Sequence, residues 1–347
     1  MKKSTYKTET KQSDISVVIC AYTEKRWVDL VAAVASLQQQ ILQPREIIVV
    51  IDHNPGLLQK ARAEFKIASN RESNGIIVLE NREARGLSGA RNSGIAVAKG
   101  AIVAFLDDDA VAEADWLMYI AVGYTEAKIV GVGGSIDPRW ETGRPTWFPR
   151  EFDWVVGCTY RGMPWQPTPV RNLIGANMSF RREVFAAVGG FRTEVGQVGA
   201  SMLRCDDTEF CIRVAQHWPH AQFLYMPQAL VCHHVPAERA TWCYFYTRCY
   251  TEGLAKALVA KLVGTQDGLS AEWDYTLRTL PTGVLQGLRD YVRHLDRAGL
   301  ARAAAIALGF SFTTSGYLIG QCAERMTTWR QTFSRSAQLW RREEPAL

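Results

Sequence analysis

The chain has 347 residues, with 47% apolar and 22% charged residues. This is the composition of an ordinary globular protein, and it excludes a disordered chain, a collagen-like repeat and a small disulfide scaffold. The net charge of +5 is too small to indicate nucleic-acid binding, so we expect no nucleic-acid partner.

Short apolar strands alternate with periodic helices between residues 15 and 132. The predicted strands are Ile15–Cys20, Glu46–Ile51, Ile76–Leu79, Ala101–Leu106 and Ile129–Val132. The predicted helices are Trp27–Leu37, Leu57–Ala68, Leu87–Lys99 and Ala112–Tyr124. This alternation predicts an α/β domain whose mostly parallel sheet is covered by helices on both faces.

The chain changes character after this region. Residues 137–169 are rich in proline and carry four tryptophans, which predicts a loop packed over a cleft. From Pro236 onward the pattern is helical, with one amphipathic helix over residues 284–295.

The uncharged segment 303–323 is long enough to span a bilayer, but its glycines, serines and threonines favour a buried or interfacial helix. After it, Met326, Trp329, Phe333 and Trp340 lie among five arginines. That pattern suits an anionic membrane surface, and equally a solvated helix whose apolar side packs on the domain.

The first 14 residues are polar and lack the apolar core of a signal peptide. We therefore expect the eight cysteines to be free thiols in a reducing cytosol. A structural zinc site is the alternative for one group of residues: Cys232, His233, His234 and Cys243.

Three aspartates, Asp107, Asp108 and Asp109, directly follow a predicted strand. Ligands of open α/β sheets bind at the carboxyl ends of strands, and carboxylates two residues apart can share a divalent cation with a phosphate. The alternative is a solvated acidic turn. Further candidate site residues follow the first two strands or open the helix before the aspartates: Ala21, Tyr22, Glu24, Asp52, Arg85 and Arg91. Together these residues predict a site for a nucleoside diphosphate.

Two more carboxylates, Asp206 and Asp207, begin a helix-like stretch. They either cap the helix or supply a general base, because a neighbouring carboxylate and partial burial would raise the pKa of Asp207. Glu209 and Arg213 are four residues apart, and we expect them to pair.

Between Ile15 and Pro236 the chain resembles the inverting glycosyltransferases of family 2, which have the GT-A fold. The motifs that carry the resemblance are AYTE, Asp52, RGLSGARN, FLDDDA, GANMSFRREVFAAVGGF, DDTE and ALVCHHVP. The resemblance implies a polar tail over residues 1–14, a GT-A (Rossmann-like) nucleotide-sugar-binding domain over 15–236, and a helical region over 237–347. That helical region is expected to associate with the membrane or to bind the acceptor.

The resemblance also implies roles for single residues. Asp52 would contact the base or ribose of a UDP-sugar, and Asp109 would hold a Mn²⁺ or Mg²⁺ ion. Asp107 would contact the nucleotide or support the metal, and Asp108 would contact the nucleotide. His233 would approach the metal or diphosphate, with His234 as the alternative. On the acceptor side it implies a further set: Asp207 as the base, with Asp206, Gly175, Ala176 and Asn177 around it.

Some features depart from the family pattern. The second strand ends in one aspartate where members often have two, and the base motif is Asp206-Asp207 where members have Glu-Asp. The Gln-x-x-Arg-Trp mark of processive synthases is absent from the sequence, which favours transfer of one sugar per encounter.

Arg239, Arg248 and nearby aromatic residues suggest contacts with an acceptor phosphate and lipid, or simply a packed aromatic helix. We therefore expect a metal-dependent transferase that uses a UDP-sugar and a glycan or polyprenyl-phosphate-linked acceptor, in exopolysaccharide or other glycoconjugate synthesis. It would lie at the cytoplasmic face of the membrane. The alternatives are a nucleotidyltransferase and a catalytically degenerate scaffold in a glycan-assembly complex.

Overall fold

Nine strands form one sheet within residues 12–68, 75–194, 205–264 and 275–322, the part of the chain that the computed structural model describes. The strands are β1 Ile15–Ala21, β2 Glu46–Ile51, β3 Ile76–Glu80, β4 Ile102–Asp107, β5 Ala110–Ala112, β6 Ile129–Trp140, β7 Thr168–Val170, β8 Asn177–Arg181 and β9 Gln222–Val235. The sheet order is β3-β2-β1-β4-β8-β6-β9-β5, and β7 pairs with β9.

Nine α-helices accompany the sheet in the same part of the chain. They are α1 Trp27–Gln38, α2 Pro55–Ala68, α3 Leu87–Val97, α4 Trp116–Gly123, α5 Arg182–Val188, α6 Asp206–His217, α7 Trp242–Val263, α8 Leu280–His294 and α9 Arg297–Cys322. The predicted α/β architecture with a helical C-terminal region is therefore confirmed.

The parallel half of the sheet, β1 to β4, matches the sequence prediction. β2 is buried along its whole length, because a strand covered on both faces needs continuous apolar side chains. The register places Cys20 beside Asp107 on β4, and Ala21 beside Ile51 on β2. The carboxyl ends of β1, β2 and β4 therefore meet at one edge of the sheet.

The second half of the sheet departs from the prediction. The helix predicted to begin at Ala112 begins at Trp116, because Ala110–Ala112 form β5 and pair with β9. The strand predicted over residues 129–132 continues to Trp140. Gly134 permits this continuation, since a Cβ there would lie 1.7 Å from the carbonyl oxygen of Ala229. β9 ends at His233 to Val235, which brings His233 opposite Ala110 and close to the aspartates.

The C-terminal helices pack on the sheet domain through an aromatic cluster. Trp147 stacks on Trp242 at 3.7 Å between ring centroids, and Phe148 and Phe152 each lie 5.3 Å from Phe245. Residues 137–169 therefore join the domain to α7. The amphipathic helix predicted over 284–295 is α8, while the predicted basic and aromatic segment 326–340 lies outside the described residues.

The long helix α9 contains most of the uncharged segment 303–323. By length and composition alone it is the one helix, within the described ranges, that could cross a membrane. It crosses α7 at two glycines: a Cβ on Gly253 would lie 2.0 Å from Thr313 O, and one on Gly316 would lie 2.1 Å from Tyr250 O. The two backbones are therefore in direct contact.

We predict that Gly253→Ala destabilises the protein. The added methyl group would overlap the carbonyl oxygen of Thr313, and overpacking of this kind costs about 1–3 kcal/mol even after the gain in helix propensity. Thermal unfolding of the purified protein measures the change. Gly75→Ala is the control, because a Cβ there meets nothing within 4 Å; equal melting temperatures for the two variants would contradict the prediction.

Candidate functional site

A narrow cavity of about 60 Å³ lies where β1, β2 and β4 end. Six predicted nucleotide or metal residues line it, and a seventh comes from β9: Ala21, Tyr22, Asp52, Asp107, Asp108, Asp109 and His233. Arg26 and Arg239 line it as well. The fold thus brings together residues as far apart in the sequence as Ala21 and Arg239. We call this space the donor cavity.

Asp52 is buried and its carboxylate is fixed from two sides. Oδ1 accepts a hydrogen bond from Asn81 Nδ2 at 2.7 Å and lies 2.8 Å from His53 Nδ1. Oδ2 accepts one from the Gly86 backbone N–H at 3.0 Å. The sequence analysis did not identify Asn81, which follows β3 just as Asp52 follows β2.

Asp107, Asp109 and His233 form a group that could hold a metal ion. Their potential ligand atoms all lie within 4.8 Å of one another, and His233 Nε2 is 3.0 Å from Asp109 Oδ1. Burial raises the pKa of Asp109, but His233 and Arg26 more than offset this and hold it well below its ordinary value. The ligand set of two carboxylates and an imidazole fits Mn²⁺.

No second group of this kind occurs among the described residues, so Cys232, His233, His234 and Cys243 do not form the alternative zinc site. Cys243 is exposed, and the Cys232 thiol contacts Glu113. His234, the alternative to His233, does not belong to the group with Asp107 and Asp109. Its Nδ1 lies 3.1 Å from the carboxylate of Asp29 on α1.

Arg26 lies across the acidic end of the donor cavity. Its Nη1 is 2.9 Å from Asp108 Oδ1 and 3.0 Å from Asp109 Oδ2. Asp108 is buried, its Oδ2 has no hydrogen-bond partner among the described residues, and burial raises its pKa to about 7. Sequence analysis missed Arg26, although it follows the β1 end by only five residues.

Arg239 also belongs to the donor cavity, which corrects its predicted place beside an acceptor phosphate. Its Nη2 lies 3.8 Å from Asp109 Oδ2, because the short helix Ala237–Ala240 turns the chain back over the end of β9. The side chain is 8% exposed, and Nη1 has no hydrogen-bond partner within the described part of the chain. A buried cation facing this cavity can bind an anion.

A larger cavity of about 380 Å³ adjoins the first. Leu87 and Asp107 line both. Its other walls include Gly175, Ala176, Asp206 and Asp207 from the predicted acceptor side. Aromatic rings from residues 137–169 and side chains of α7 and α9 complete it. We call it the acceptor cavity.

Arg91 lines the acceptor cavity and lies close to Asp107, which lines both cavities. Its Nη1 is 2.8 Å from Asp206 Oδ2, its Nη2 donates to Gly175 O at 3.0 Å, and Asp107 Oδ1 lies 3.7 Å away. Burial disfavours the charged guanidinium, but Asp206 and Asp107 raise the pKa of Arg91 above its ordinary value. Arg91 therefore remains a cation.

Asp207 stands in the acceptor cavity as a half-buried carboxylate. Oδ2 accepts a hydrogen bond from the Gly175 N–H at 2.8 Å, and Oδ1 accepts one from the Thr208 N–H at 2.6 Å. Burial and then the charge of Asp206 raise its pKa to about 6, although Arg91 opposes the shift. A carboxylate with this pKa can accept a proton near neutral pH.

Three predicted site residues lie elsewhere. Asn177 is fully buried: its amide donates to Ser135 O and Ala229 O and accepts from Trp116 Nε1, so it ties β8 to its neighbours. Glu24 and Arg85 are exposed and line neither cavity. The predicted pair of Glu209 and Arg213 is confirmed at 2.9 Å.

A family model described as "Glycosyl transferase family 2" matches residues 16–189. A glucosyl-dolichyl phosphate glucuronosyltransferase of Haloferax volcanii is 32% identical over 308 residues, which cover 88% of this chain and 96% of that protein. The succinoglycan biosynthesis protein ExoM of Rhizobium meliloti is 24% identical over 57% of this chain and 60% of its own length.

Two solved structures share the fold. A mannosyltransferase of Pyrobaculum calidifontis, in complex with GDP-Man and Mn²⁺, has a TM-score of 0.56 and 21% identity, covering 91% of this chain and 87% of that one. GalNAc-T7 with UDP, GalNAc and Mn²⁺ has a TM-score of 0.52 and 15% identity, covering 76% of this chain and 57% of that one. At these identities the likeness shows the fold alone.

We predict that Arg26→Gln raises the affinity for Mn²⁺ in the absence of nucleotide. The substitution removes a positive charge 3.0 Å from Asp109 that opposes a second cation, and we expect about a threefold to tenfold gain for this partly solvated pair. Electron paramagnetic resonance of free Mn²⁺ measures it.

Two variants serve as controls for this titration. Asp109→Asn should abolish the binding, and Arg45→Gln, which removes the exposed pair with Asp14, should leave it unchanged. An affinity for Arg26→Gln that equals or falls below that of the wild type would show that Arg26 does not compete for these carboxylates.

Proposed function

The chain belongs to glycosyl transferase family 2 and is a glycosyltransferase of the GT-A fold; on this premise we propose that it moves one sugar, with inversion, from a UDP-sugar to a sugar linked to polyprenyl phosphate. Such a step belongs to the assembly of an exopolysaccharide or another glycoconjugate. It would take place at the cytoplasmic face of a membrane.

The observation that supports this proposal best is the contact between the two cavities. Asp107 lines both cavities. The group of residues that could hold a metal ion, in the donor cavity, is therefore next to the acceptor cavity, where the Asp207 carboxylate has a raised pKa. An inverting transferase needs this arrangement, because the attacking oxygen must approach the anomeric carbon on the face opposite to the leaving group.

In the donor cavity we assign the nucleoside to Tyr22 and Asp52, and the metal to Asp107, Asp109 and His233. When bound, the metal would neutralise charge on the diphosphate leaving group. Arg239 would bind the same diphosphate, because it lines the cavity and its Nη1 has no hydrogen-bond partner among the described residues. Its ion pair with Asp109 is long, at 3.8 Å, and a buried guanidinium held this loosely favours a charged oxygen ligand over a neutral one.

In the acceptor cavity we assign the base to Asp207. The acceptor hydroxyl would give its proton to this carboxylate while its oxygen forms the new glycosidic bond. The bond from the anomeric carbon to the diphosphate oxygen breaks, and the nucleoside diphosphate leaves with the electron pair. A single displacement of this kind inverts the configuration.

The walls of the acceptor cavity favour a lipid-linked phosphate as part of the acceptor. Arg171, Arg248 and Lys256 are cations suited to a phosphate, and Trp154 and Phe310 offer apolar surface. Glu252 neutralises part of this positive charge, because its carboxylate lies 3.6 Å from Arg248 and 3.8 Å from Lys256. The Haloferax volcanii relative is named for glucosyl-dolichyl phosphate, which has this combination of sugar, phosphate and isoprenoid.

An assay of the full chain in detergent tests the proposal. With Mn²⁺ present, we would offer UDP-linked and GDP-linked sugars, UDP-glucose and UDP-glucuronate among them, with glucosyl polyprenyl phosphate as the acceptor. We expect acceptor-dependent release of UDP and a product of inverted configuration. Asp109→Asn and Asp207→Asn should each lower the rate by about a hundredfold or more, whereas Asp14→Asn, an exposed aspartate, should not.

The other outcomes of this assay are distinguishable. Release of pyrophosphate would identify a nucleotidyltransferase. Nucleotide binding without turnover would support the assigned donor and contradict the assigned acceptor. Neither binding nor turnover across the whole panel would favour the scaffold.

The pH dependence gives a separate test of Asp207. The base must be ionised, so log(kcat/KM) should fall below about pH 6, by about one unit for each unit of pH. Asp206→Asn removes a negative charge that raises the pKa of Asp207, so this acidic limb should move to lower pH. Ser88→Ala is the control, since it removes a hydrogen bond to Asp206 without changing charge. A limb that stays in place or moves upward in Asp206→Asn would argue against Asp207 as the base.

A further inference from the structure

Helix α8 has three distinct sides. Leu280, Gly283 and Gly287 are buried, and at Gly287 the backbone meets α9 so closely that a Cβ would lie 2.5 Å from Gly299 O. A second side is apolar and exposed, and a third carries Arg289 and Arg293. A helix that only covers a core would need the first side and no exposed apolar stripe.

The exposed stripe consists of Leu285, Leu288 and Val292 on α8 and of Leu295, which directly follows the last residue of the helix. Their exposed fractions are 66%, 40%, 76% and 78%. Leu300, at the beginning of α9, is 43% exposed as well. Single exposed apolar residues are common, but a stripe of large ones along a helix and its end indicates an interaction surface.

The charge beside the stripe is positive. Arg289, Arg293 and Arg297 are exposed, and none has an ion-pair partner in the part of the chain that the structure describes. Asp290 and Asp296 are the acidic residues of this stretch, and Arg302 already pairs with both, at 2.9 and 3.1 Å. An apolar stripe flanked by unpaired arginines is complementary to an anionic lipid surface.

A second copy of the chain fits this surface less well. A two-fold contact through the stripe would bring the same surface of both copies together. The unpaired arginines would then face one another without carboxylates to separate them. The charge therefore favours lipid over self-association.

The neighbouring helix α9 is not free to be surrounded by lipid. Phe310, Thr313 and Tyr317 on it line the acceptor cavity, and Gly316 lies against the backbone of α7. Its exposed residues, Leu308 and Leu318 among them, occupy the remaining side. A helix with one side on the acceptor cavity and another on the protein core can touch a bilayer but cannot cross one alone.

From these observations we infer that the chain binds the surface of an anionic bilayer through the α8 stripe, with α8 lying in the plane of the interface and no helix of the described region spanning it. The inference extends the proposed function, because α9 would then separate the bilayer from the acceptor cavity and a lipid-linked sugar could enter beside it.

Co-sedimentation with vesicles tests this inference without any need for catalysis. We would mix the full chain with vesicles of phosphatidylcholine alone or of phosphatidylcholine with phosphatidylglycerol. Wild-type protein should sediment with the anionic vesicles and be released by high salt. Leu285→Gln combined with Val292→Gln should lower the partition coefficient by about tenfold or more, since each apolar side chain buried in the interface contributes severalfold. Arg289→Gln combined with Arg293→Gln should remove most of the preference for anionic vesicles, by about fivefold per arginine.

A matched control carries the same chemical change elsewhere. Ile41→Gln combined with Val122→Gln replaces apolar residues that are 60% and 55% exposed, far from α8 in the sequence. This variant should sediment like the wild type. All the substituted residues are exposed, so unchanged thermal unfolding should verify that each variant is folded.

Three results would overturn the inference. The first is a stripe variant that sediments as well as the wild type. The second is a wild-type protein that resists extraction by high salt and carbonate, as a spanning protein does. The third is a stripe that supports a dimer while the protein does not bind vesicles. Vesicle binding that depends on the stripe, in a protein that transfers no sugar, would retain this inference and reject the proposed function.

Discussion

The two halves of the site depend on one buried guanidinium. Arg91 is 3% exposed and joins Asp206, Gly175 and Asp107, which come from three separate elements. A buried charge is tolerated only where its partners are in place, and removing one partner of a buried pair typically costs about 3–5 kcal/mol. The sequence analysis assigned Arg91 to the nucleotide, but its contacts make it first the link that fixes the distance between Asp107, in the group that could hold a metal ion, and the carboxylates at the beginning of α6.

Near Arg91 several carboxylates lie close together, and they would repel one another without basic side chains beside them. Asp107, Asp108 and Asp109 follow one another at a strand end, and each has a basic side chain beside it: Arg91 for Asp107, Arg26 for Asp108, and Arg26 and His233 for Asp109. Burial and the neighbouring aspartates raise the pKa of Asp108, while His233, Arg26 and Arg239 lower that of Asp109. The pKa values of two adjacent residues in one turn are therefore shifted in opposite directions.

The part of the fold predicted correctly is the part in which local pattern and tertiary environment agree. β1, β2 and β4 are buried on both faces, so their side chains are continuously apolar and the strands are visible in sequence. β5 has only three residues, and it is a strand because β9 lies beside it, which no local pattern records. For the same reason the helix predicted from Ala112 begins later.

The site residues divide along similar lines. Aspartates at strand ends were predictable, since strand ends converge by topology. Arg26 and Arg239 were not assigned to the donor cavity, because short helical turns bring them there and an arginine in a turn is usually solvated. Asn177 shows the opposite error: it lies in a motif of the family, but its amide serves the sheet, with Trp116, Ser135 and Ala229 as partners. A motif in one sequence does not distinguish a residue that touches substrate from one that holds its neighbour in place.

The C-terminal helices add a particular cavity, the one proposed for the acceptor, to the sheet of the GT-A fold. Because Gly253 and Gly316 let α7 and α9 touch, the position of α9 is fixed by backbone contact rather than by adaptable side chains. The cavity wall formed by Phe310, Thr313 and Tyr317 is therefore as rigid as the helix pair itself. A rigid wall selects acceptors by shape before any polar contact forms. Under the proposed function, substitutions along this side of α9 would change which acceptor enters, whereas the donor cavity, which no residue of α9 lines, would keep its nucleotide.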